Sequence, residues 1–418
     1  MKITGTSGDV KGSISITERI RFRRWWQPPR PASNRPQERR VTFLELFYDL
    51  VYVVIIAEIS HTLAEDMSFA GIGIFVFLFI IVWWAWLNGA LYHDLHGNND
   101  IRTRAFTFLQ MLTVAAMAIF AHNAFGEGSV GFALSYAAYH LILTWLWWRT
   151  GFYDPNHRPL SQPYSITFLI TSVLFILSIF VPPLWRFIMW VLALLIDLVL
   201  LILLTTNRST VIQEAIGRLV LISSSVVERF GLFTIIVLGE VIVGVVSGVA
   251  ELSHLSWLAG SSGFLGMMIA IGLWWIYFDF VSGHLPQPRM SKSLGWIYLH
   301  LPVTMGIAAI GASILNVVEH AGDPLLAEVR WLLVGFIAVV LTSIALILKC
   351  LNIPESQRLI FRTGARVTFI AGILAILLGL TQIGTIPLLL TLNVLLLAPV
   401  FYGILIWIKV FDARELEM

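Results

Sequence analysis

Long runs of apolar residues, broken by short polar stretches, dominate this chain from residue 43 onwards. A helix needs about 20 apolar residues to cross the hydrocarbon layer of a bilayer. Twelve segments approach or exceed this length, and most connections between them are short, so consecutive helices are expected to run antiparallel. The predicted spans are 43–63, 69–91, 105–122, 130–148, 163–181, 184–205, 230–250, 262–281, 293–316, 331–350, 366–384 and 387–408. The pattern predicts an all-α, polytopic integral membrane protein.

Composition excludes the soluble classes of protein. The chain has 418 residues, of which 58% are hydrophobic and 12% are charged. A soluble domain has roughly 25% charged residues, so this chain has about half the charge that a water-facing surface requires. The single cysteine, Cys350, allows neither an intramolecular disulfide nor a cysteine metal cluster. An integral membrane protein is the class that remains.

Positive charge is distributed unevenly among the connections between the spans. Cytoplasmic connections of membrane proteins carry an excess of Lys and Arg. If the N-terminus is inside, 25 of the 27 Lys and Arg residues lie in or beside inner regions, and only Arg186 and Arg330 lie outside. We therefore expect both termini in the cytoplasm, with a tail at 1–42, a linker at 206–229 and a short tail at 409–418.

The N-terminal tail is strongly basic, with ten Lys and Arg residues in 1–42. Its run Arg23-Arg24-Trp25-Trp26 combines positive charge with aromatic rings, which suits docking on anionic lipid headgroups. A tail that only fixes the orientation of the protein is the alternative interpretation. We expect the lipid bilayer as the main partner and no nucleic acid, and a homo-oligomer is left open.

Related residues recur in the same order in the two halves of the chain, which indicates an internal duplication. The matching residues are Glu45, Phe47, Glu58 and Trp83-Trp84 in the first half, and Glu228, Phe230, Glu240 and Trp274-Trp275 in the second. With six helices in each half, at 43–205 and 230–408, the two repeats are expected to be parallel. Internal repeats are frequent in transport proteins, whose substrate sites lie between the repeats.

Acidic residues are the main polar feature inside the predicted spans. An ionised side chain near the bilayer centre costs roughly 2.5–3.5 kcal/mol, so such residues usually face the protein interior or a water-filled cavity. No Lys or Arg is expected deep within a span, so the buried acids are expected to be protonated, bound to cations or reached by water. The candidate acids are Glu45, Asp49, Glu58, Asp197, Glu228, Glu240 and Asp279.

Position along the spans separates these candidates. Glu240 lies at mid-span, and Glu58 lies in an outer half that no basic residue follows. These two glutamates are therefore favoured as binding sites for a cation or a proton. Asp49, Asp197 and Asp279 are secondary candidates for the same role.

Glu45 and Asp49 have a second interpretation, because they lie only one to two turns from the cytoplasmic end of their helix. They are equally consistent with interfacial caps or with partners for Arg39, Arg40 or Arg229. The two interpretations differ in whether these acids are paired, which a structure can decide.

Two histidines, His140 and His300, lie within spans 4 and 9, where histidine acts as a proton relay or as a structural hydrogen-bonding group. No HExxH, Walker A, GxSxG or GxGxxG context occurs, so we expect no metal and no cofactor, and an enzyme is disfavoured. The connection after span 2 holds the densest polar cluster, which is either a small anion or metal site or a solvated loop. The cluster comprises His93, Asp94, His96, Asp100, Arg102 and Arg104.

Two stretches resemble the signatures of the bacterial low temperature requirement A proteins. The first is Val41-Thr-Phe-Leu-Glu45-Leu-Phe47-Tyr-Asp49-Leu-Val51, and the second is Glu228-Arg-Phe230-Gly-Leu-Phe-Thr-Ile-Ile-Val-Leu-Gly239-Glu240. The resemblance extends over residues 41–408 and leaves the basic tail uncovered. It implies a multi-pass protein of the bacterial inner membrane and no particular activity. Its signature residues here are Glu45, Phe47, Glu228, Phe230 and Gly239.

The leading hypothesis is a transport protein, either a channel or a carrier, for a small cation or a proton-coupled solute. Intramembrane acids and the duplication support it. The six-plus-six plan is also similar to that of two-repeat potassium channels, although Leu232 stands where a second copy of Asp49 would fall. The alternatives are a cold-stress sensor or scaffold without transport, and a lipid-modifying membrane enzyme. The enzyme would bring together Glu45, Asp49, His93 and Asp100 at one interface.

Overall fold

The computed structural model describes residues 27–31, 39–207, 209, 213, 217, 221–252, 254 and 256–415, with the backbone alone for 406–415. Within these residues the chain forms twelve α-helices of at least 21 residues. They are α1 (Phe43–Glu65), α2 (Phe69–His96), α3 (Ile101–Ala121), α4 (Ser129–Tyr153), α5 (Arg158–Ser178), α6 (Pro183–Thr206), α7 (Ser224–Ala250), α8 (Trp257–Phe280), α9 (Met290–Glu319), α10 (Ala327–Leu348), α11 (Arg358–Leu378) and α12 (Thr385–Glu415). The run Arg23-Arg24-Trp25-Trp26 lies outside the described residues.

Each of the twelve predicted spans is confirmed as a helix, and the all-α class is confirmed with them. Eleven of the helices, α2 to α12, are long and apolar enough to cross a membrane. The remaining helix, α1, carries Glu45, Asp49, Glu58 and Glu65 within its 23 residues. The protein is therefore a multi-pass membrane protein with one unusually acidic helix.

Helix α7 begins earlier than the apolar pattern predicts. Its first residue is Ser224, where the sequence indicates a start at 230, because the side chain of Ser223 caps the helix by accepting a hydrogen bond from the Val226 N–H. Glu228 and Arg229, which the sequence places in the linker at 206–229, therefore lie in the second turn of the helix. This shift brings a positive charge into the helix bundle.

The contact between α7 and α9 depends on glycines. A Cβ atom at Gly244 would overlap the carbonyl oxygen of Gly311, and a Cβ atom at Gly311 would lie 2.7 Å from the carbonyl oxygen of Glu240. Gly248 meets Leu315 and Val318 one turn further along. The backbones approach too closely for any larger residue, which is the packing that small residues four apart permit.

Most helix contacts recur in the same order within each half of the chain, but α8 also packs extensively on α12, and α2 and α6 share no comparable contact. In the first helix group, α1 to α6, α1 contacts α3, and α4, α5 and α6 follow in sequence. In the second helix group, α7 to α12, α7 contacts α9, and α10, α11 and α12 follow. The two groups meet mainly where α1 and α2 contact α7 and α9. We call the side on which α1 begins the inner side, which is the side predicted to face the cytoplasm.

Candidate functional site

A buried ion pair joins the two helix groups across their interface. Asp49 of α1 is fully buried and Arg229 of α7 is 3% exposed. The Nη2 atom of Arg229 donates to Oδ1 of Asp49 over 2.8 Å, and Nε lies 3.0 Å from each oxygen of the same carboxylate. Such a two-nitrogen arrangement is the strongest geometry available to an Arg–carboxylate pair.

Neighbouring groups complete the environment of this pair. The indole N–H of Trp86 donates to Oδ1 of Asp49 over 2.7 Å, and Nη1 of Arg229 donates to the carbonyl of Ala90 over 3.3 Å. The guanidinium carbon also lies 5.0 Å from the centre of the Tyr48 ring. The expectation that the membrane acids lack basic partners is therefore wrong for Asp49. It failed because Arg229 was assigned to the linker.

Glu45 is also paired, one turn closer to the inner side. Its Oε1 atom lies 2.5 Å from Nη2 of Arg39, and its Oε2 atom accepts hydrogen bonds from the backbone and hydroxyl of Thr42. The Thr42 hydroxyl in turn accepts from the Glu45 N–H, which completes a capping box at the start of α1. The structure therefore supports the second interpretation of these two acids. Glu45 caps its helix and pairs with Arg39, and Asp49 pairs with Arg229.

Three tyrosine hydroxyls extend the polar region from the ion pair into the first helix group. The hydroxyl of Tyr48 lies 2.7 Å from that of Tyr139 and 3.1 Å from that of Tyr52, and Tyr139 donates to the carbonyl of Ala85. Gly89 faces the hydroxyls of Tyr48 and Tyr139 so closely that a Cβ atom there would overlap both. The absence of a side chain at Gly89 therefore makes room for this tyrosine cluster.

The polar cluster at the end of α2 and the start of α3 is largely buried, so the interpretation as a solvated loop is wrong. Oδ1 of Asp94 accepts from the hydroxyls of Ser223 and Ser225, and Nε2 of His93 lies 2.9 Å from Oε1 of Gln110. Asp100 caps α3. These contacts join α2 to the start of α7 and to α3. Arg104 alone among the six is exposed. In the described part of the chain no group of His, Cys, Asp or Glu side chains is arranged to hold a metal.

Glu240 lies on the same helix as Arg229 but has a different environment. It is 7% exposed, and it forms no hydrogen bond or ion pair with any residue that the structure describes. Eleven residues separate it from Arg229, which is about 16 Å along the axis and only about 20° around it. Glu240 therefore lies on the face of α7 that carries the ion pair, deeper in the bundle.

The other candidate acids differ from one another. Asp197 is buried and accepts hydrogen bonds from the Trp84 indole and the Thr171 hydroxyl, each over 3.1 Å. It lines a small cavity of about 30 Å³, large enough for one water molecule. Glu58 is partly exposed in the outer half of α1, and Asp279 is exposed on α8. The structure does not bring Glu58, Asp197 and Asp279 together.

Both histidines are fully buried and bonded to their own helices. Nδ1 of His300 donates to the carbonyl of Trp296 over 2.6 Å, so Nε2 is left to accept from the Tyr277 hydroxyl at 2.9 Å. Nδ1 of His140 lies 3.1 Å from the carbonyl of Tyr136, while its Nε2 is buried without a hydrogen bond among the described residues. His300 thus links α9 to α8, and His140 stays within α4.

The signature residues surround the ion pair to different degrees. Phe230 is buried and its ring packs at 4.9 Å from that of Trp86. Glu228 accepts a hydrogen bond from the Val41 N–H, which places the start of α7 beside the start of α1. Phe47 is half exposed, and Gly239 has open space on the side where a Cβ would lie.

Comparison with known proteins agrees with these two signatures. The sequence model of the bacterial low temperature requirement A protein (LtrA) family matches residues 40–406. This chain belongs to the LtrA family. The chain is also similar to the uncharacterized protein RA0937 of Rhizobium meliloti (strain 1021), with 26% identity over 293 residues, covering 65% of this chain and 68% of that protein. The resemblance deduced from the residues is therefore confirmed.

Sequence reasoning missed several residues of this LtrA site. Trp86, Tyr139 and Ser225 contact the acids or their partners, but each looks like an ordinary apolar or polar position in its span. Arg229 could have been found, because Ser223 is a good N-cap ahead of the apolar run and places Arg229 inside a helix. The others depend on which helices meet, which no local pattern reveals.

Proposed function

We propose that this LtrA protein transports a small cation or a proton-coupled solute, with Glu240 as the group that binds the cation or proton. The observation that carries the proposal is the environment of Glu240. Glu240 is 7% exposed within a membrane-spanning helix, and its carboxyl group has no partner among the described residues. Removing an ionised carboxylate from water costs several kcal/mol unless a counter-charge compensates. Such a carboxyl group is well suited to bind and release a proton or a cation in turn, and this role would account for its costly position.

The Asp49–Arg229 pair supplies the second element that a carrier needs. It joins α1 to α7 at the interface of the two helix groups, on the inner side of Glu240. A contact that can break and re-form between two rigid helix groups is a suitable switch for alternating access. We therefore assign Asp49 and Arg229 to the inner gate. Asp197, in its cavity beside Trp84, is a secondary binding group.

The proposed duplication fits this assignment. The two groups share most of their order of helix contacts, and a three-residue 3₁₀ turn precedes both α5 and α11, which begin with Arg158 and Arg358 respectively. Proteins built from two such halves commonly bind their substrates between them. Asp49 and Arg229 lie at this interface, and Glu240 follows Arg229 on the same face of α7. We further propose that the protein lies in the bacterial inner membrane with both termini in the cytoplasm.

Flux through reconstituted protein tests the proposal. Purified full-length protein is incorporated into liposomes, and a gradient of protons, Na⁺ or K⁺ is imposed in separate runs, each with an enclosed dye that is sensitive to the ion tested. We expect flux of at least one of these ions well above that of protein-free liposomes. Equal flux with and without protein, for all three ions, would remove the proposal for ion transport and leave the alternative functions.

A lipid-modifying enzyme is the second candidate, and one observation favours it. A cavity of about 920 Å³ opens on the inner side between α1 and the connection after α2, with Glu45 and His93 in its lining and Phe43 and Phe108 at its edge. An acid and a histidine beside apolar residues suit a reaction on a lipid headgroup. Substituting Glu45 or His93 would then abolish a change in lipid composition that overexpression of the wild-type protein produces, as measured by mass spectrometry of extracted lipids.

A further inference from the structure

A second large cavity on the inner side is lined by positive charge. It has a volume of about 940 Å³ and lies between the α8–α9 connection, the end of α10 and the start of α11. Five of the side chains around it are basic, and none of the described residues that line it is acidic. The basic residues are Arg289, Lys349, Arg358, Arg362 and Arg366.

The lining of this cavity changes from basic to apolar with depth. Arg358, Arg362 and Arg366 are spaced four residues apart and form one stripe along α11, and Phe369 continues the stripe by a further turn. Leu346 of α10 also lines the cavity, and the side chains of Leu346 and Phe369 are both exposed. A ligand that fits this cavity needs an anionic end and an apolar end.

The base of the cavity is held in place by two paired connections. The N–H of Gln287 donates to the carbonyl of Cys350, and the N–H of Asn352 donates to the carbonyl of Leu285, each over 2.8 Å. The side chain of Gln287 adds a bond to the carbonyl of Leu351 over 3.1 Å. The positions of the basic groups on both connections are therefore set before any ligand binds, which lowers the entropic cost of binding.

The basic groups of this cavity are available, in contrast to their counterparts in the first helix group. There, Arg158 donates to the carbonyl of Gly151, and Arg149 lies over the rings of Trp145 and Tyr153. In the second group, the side chains of Arg289, Arg362 and Arg366 form no hydrogen bond or ion pair with any described residue, and Arg358 is paired only with Glu355. Arg289, Arg362 and Arg366 thus have no counter-charge among the described residues.

We propose that this cavity binds an anionic phospholipid from the inner leaflet, with the phosphate among Arg358, Arg362 and Arg366 and an acyl chain along Leu346 and Phe369. Guanidinium groups bind phosphate oxygens through two parallel hydrogen bonds. The start of α11 adds backbone N–H groups, because its N-cap residue, Gln357, makes no side-chain cap. The N–H of Arg358 itself is taken by the carbonyl of Glu355. Basic pockets between helices on the cytoplasmic side are a recurrent form of site for anionic headgroups. The proposal is independent of ion transport by Glu240.

Native mass spectrometry of the full-length protein, titrated with phosphatidylglycerol or phosphatidylcholine, tests this proposal. We expect phosphatidylglycerol to bind at least ten times more tightly than phosphatidylcholine. The double substitution Arg362→Gln and Arg366→Gln should weaken phosphatidylglycerol binding about tenfold or more, since each basic residue near a membrane surface contributes about 1 kcal/mol. Replacement of both by lysine keeps the charge but not the paired hydrogen bonds, so its binding should lie between that of the wild type and that of the glutamine variant.

The matched control is Arg40→Gln with Arg104→Gln, which removes two exposed charges from the inner side of the first helix group. The cavity there also contains Glu45 paired with Arg39, so its net positive charge is lower. We expect this control to leave the tightest phosphatidylglycerol site unchanged. An equal loss of phosphatidylglycerol binding in both double variants would overturn the proposal. It would show that the lipid is attracted by the overall positive charge of the inner side and not by this cavity.

Two further measurements are needed. The first distinguishes a lipid phosphate from a free phosphate, and the second tests whether the variant is folded. Inorganic phosphate and glycerol phosphate are tested at millimolar concentration as competitors, and we expect neither to displace phosphatidylglycerol. Displacement by inorganic phosphate would show that the cavity takes a free anion, and the lipid proposal would fail. A thermal unfolding midpoint of the Arg362 and Arg366 variant in detergent, equal to that of wild type, ensures that lost binding reflects the site.

Discussion

The guanidinium of Arg229 and the carboxylate of Asp49 lie 2.8 Å apart, in a contact that is almost inaccessible to solvent and that joins the two helix groups. The pair connects both signatures of the LtrA family, since Asp49 belongs to the first and Arg229 to the second. A buried pair of this kind contributes little net stability over apolar residues, but loss of one member leaves an uncompensated charge. The pair therefore contributes mainly by specifying how α1 and α7 pack against each other, and it adds little to stability.

Removing one member of the pair should destabilise the protein strongly. Asp49→Leu or Arg229→Met alone should lower the free energy of unfolding by about 3–5 kcal/mol, because the remaining charge stays buried. The double variant Asp49→Leu with Arg229→Met should recover most of this loss. Thermal unfolding in detergent measures all three variants. A double variant no more stable than either single variant would contradict the pairing.

The glycines of α7 should respond differently to the same substitution. Gly244→Ala should destabilise the protein by about 1–3 kcal/mol, because its methyl group would overlap the backbone of Gly311. Gly239→Ala, on the same helix, has no atom within 4 Å of the new methyl group and should be neutral or slightly stabilising. Detergent unfolding midpoints check both variants. Equal destabilisation by the two would contradict the glycine contact between α7 and α9.

The thiol of Cys350 should react slowly with maleimides in the folded protein. Burial raises the pKa of this thiol above its ordinary value, and the thiolate is the reactive form. Labelling should therefore be slow at pH 7, rise with pH only above the ordinary thiol range, and become complete when sodium dodecyl sulfate unfolds the chain. Mass spectrometry of labelled protein over time checks this. Rapid labelling of native protein at pH 7 would contradict the buried position of Cys350.

Introduced cysteines should report the orientation of the chain. In a Cys350→Ser background, Ser356→Cys lies in the α10–α11 connection and Asp323→Cys lies between α9 and α10, both exposed. If the inner side faces the cytoplasm, a membrane-impermeant maleimide added to spheroplasts should label Asp323→Cys and spare Ser356→Cys. Lysed membranes should show labelling of both. The reverse pattern in intact spheroplasts would contradict both termini being in the cytoplasm.

The helices were predictable because each span carries enough apolar residues to show its length. Their starts were less predictable: the polar first turns of α3, α5, α7 and α11 precede the apolar runs, so Arg358 and Arg229 appeared to lie in connections. That error hid the partner of Asp49. Helix contacts depend on the whole bundle, so the tyrosine cluster and the Trp84–Asp197 contact had no local signal. The residues of both signatures, in contrast, were identified because their order is specific.

The burial of Glu240 is the observation on which the account of function depends, and variants of α7 test it most directly. Proton or cation flux is measured in liposomes with Glu240→Gln and with Glu251→Gln, an exposed acid at the outer end of the same helix. The account predicts that Glu240→Gln reduces flux at least tenfold while Glu251→Gln retains the wild-type rate, at equal reconstituted protein and equal unfolding midpoints. Wild-type flux through the Glu240→Gln variant would contradict it.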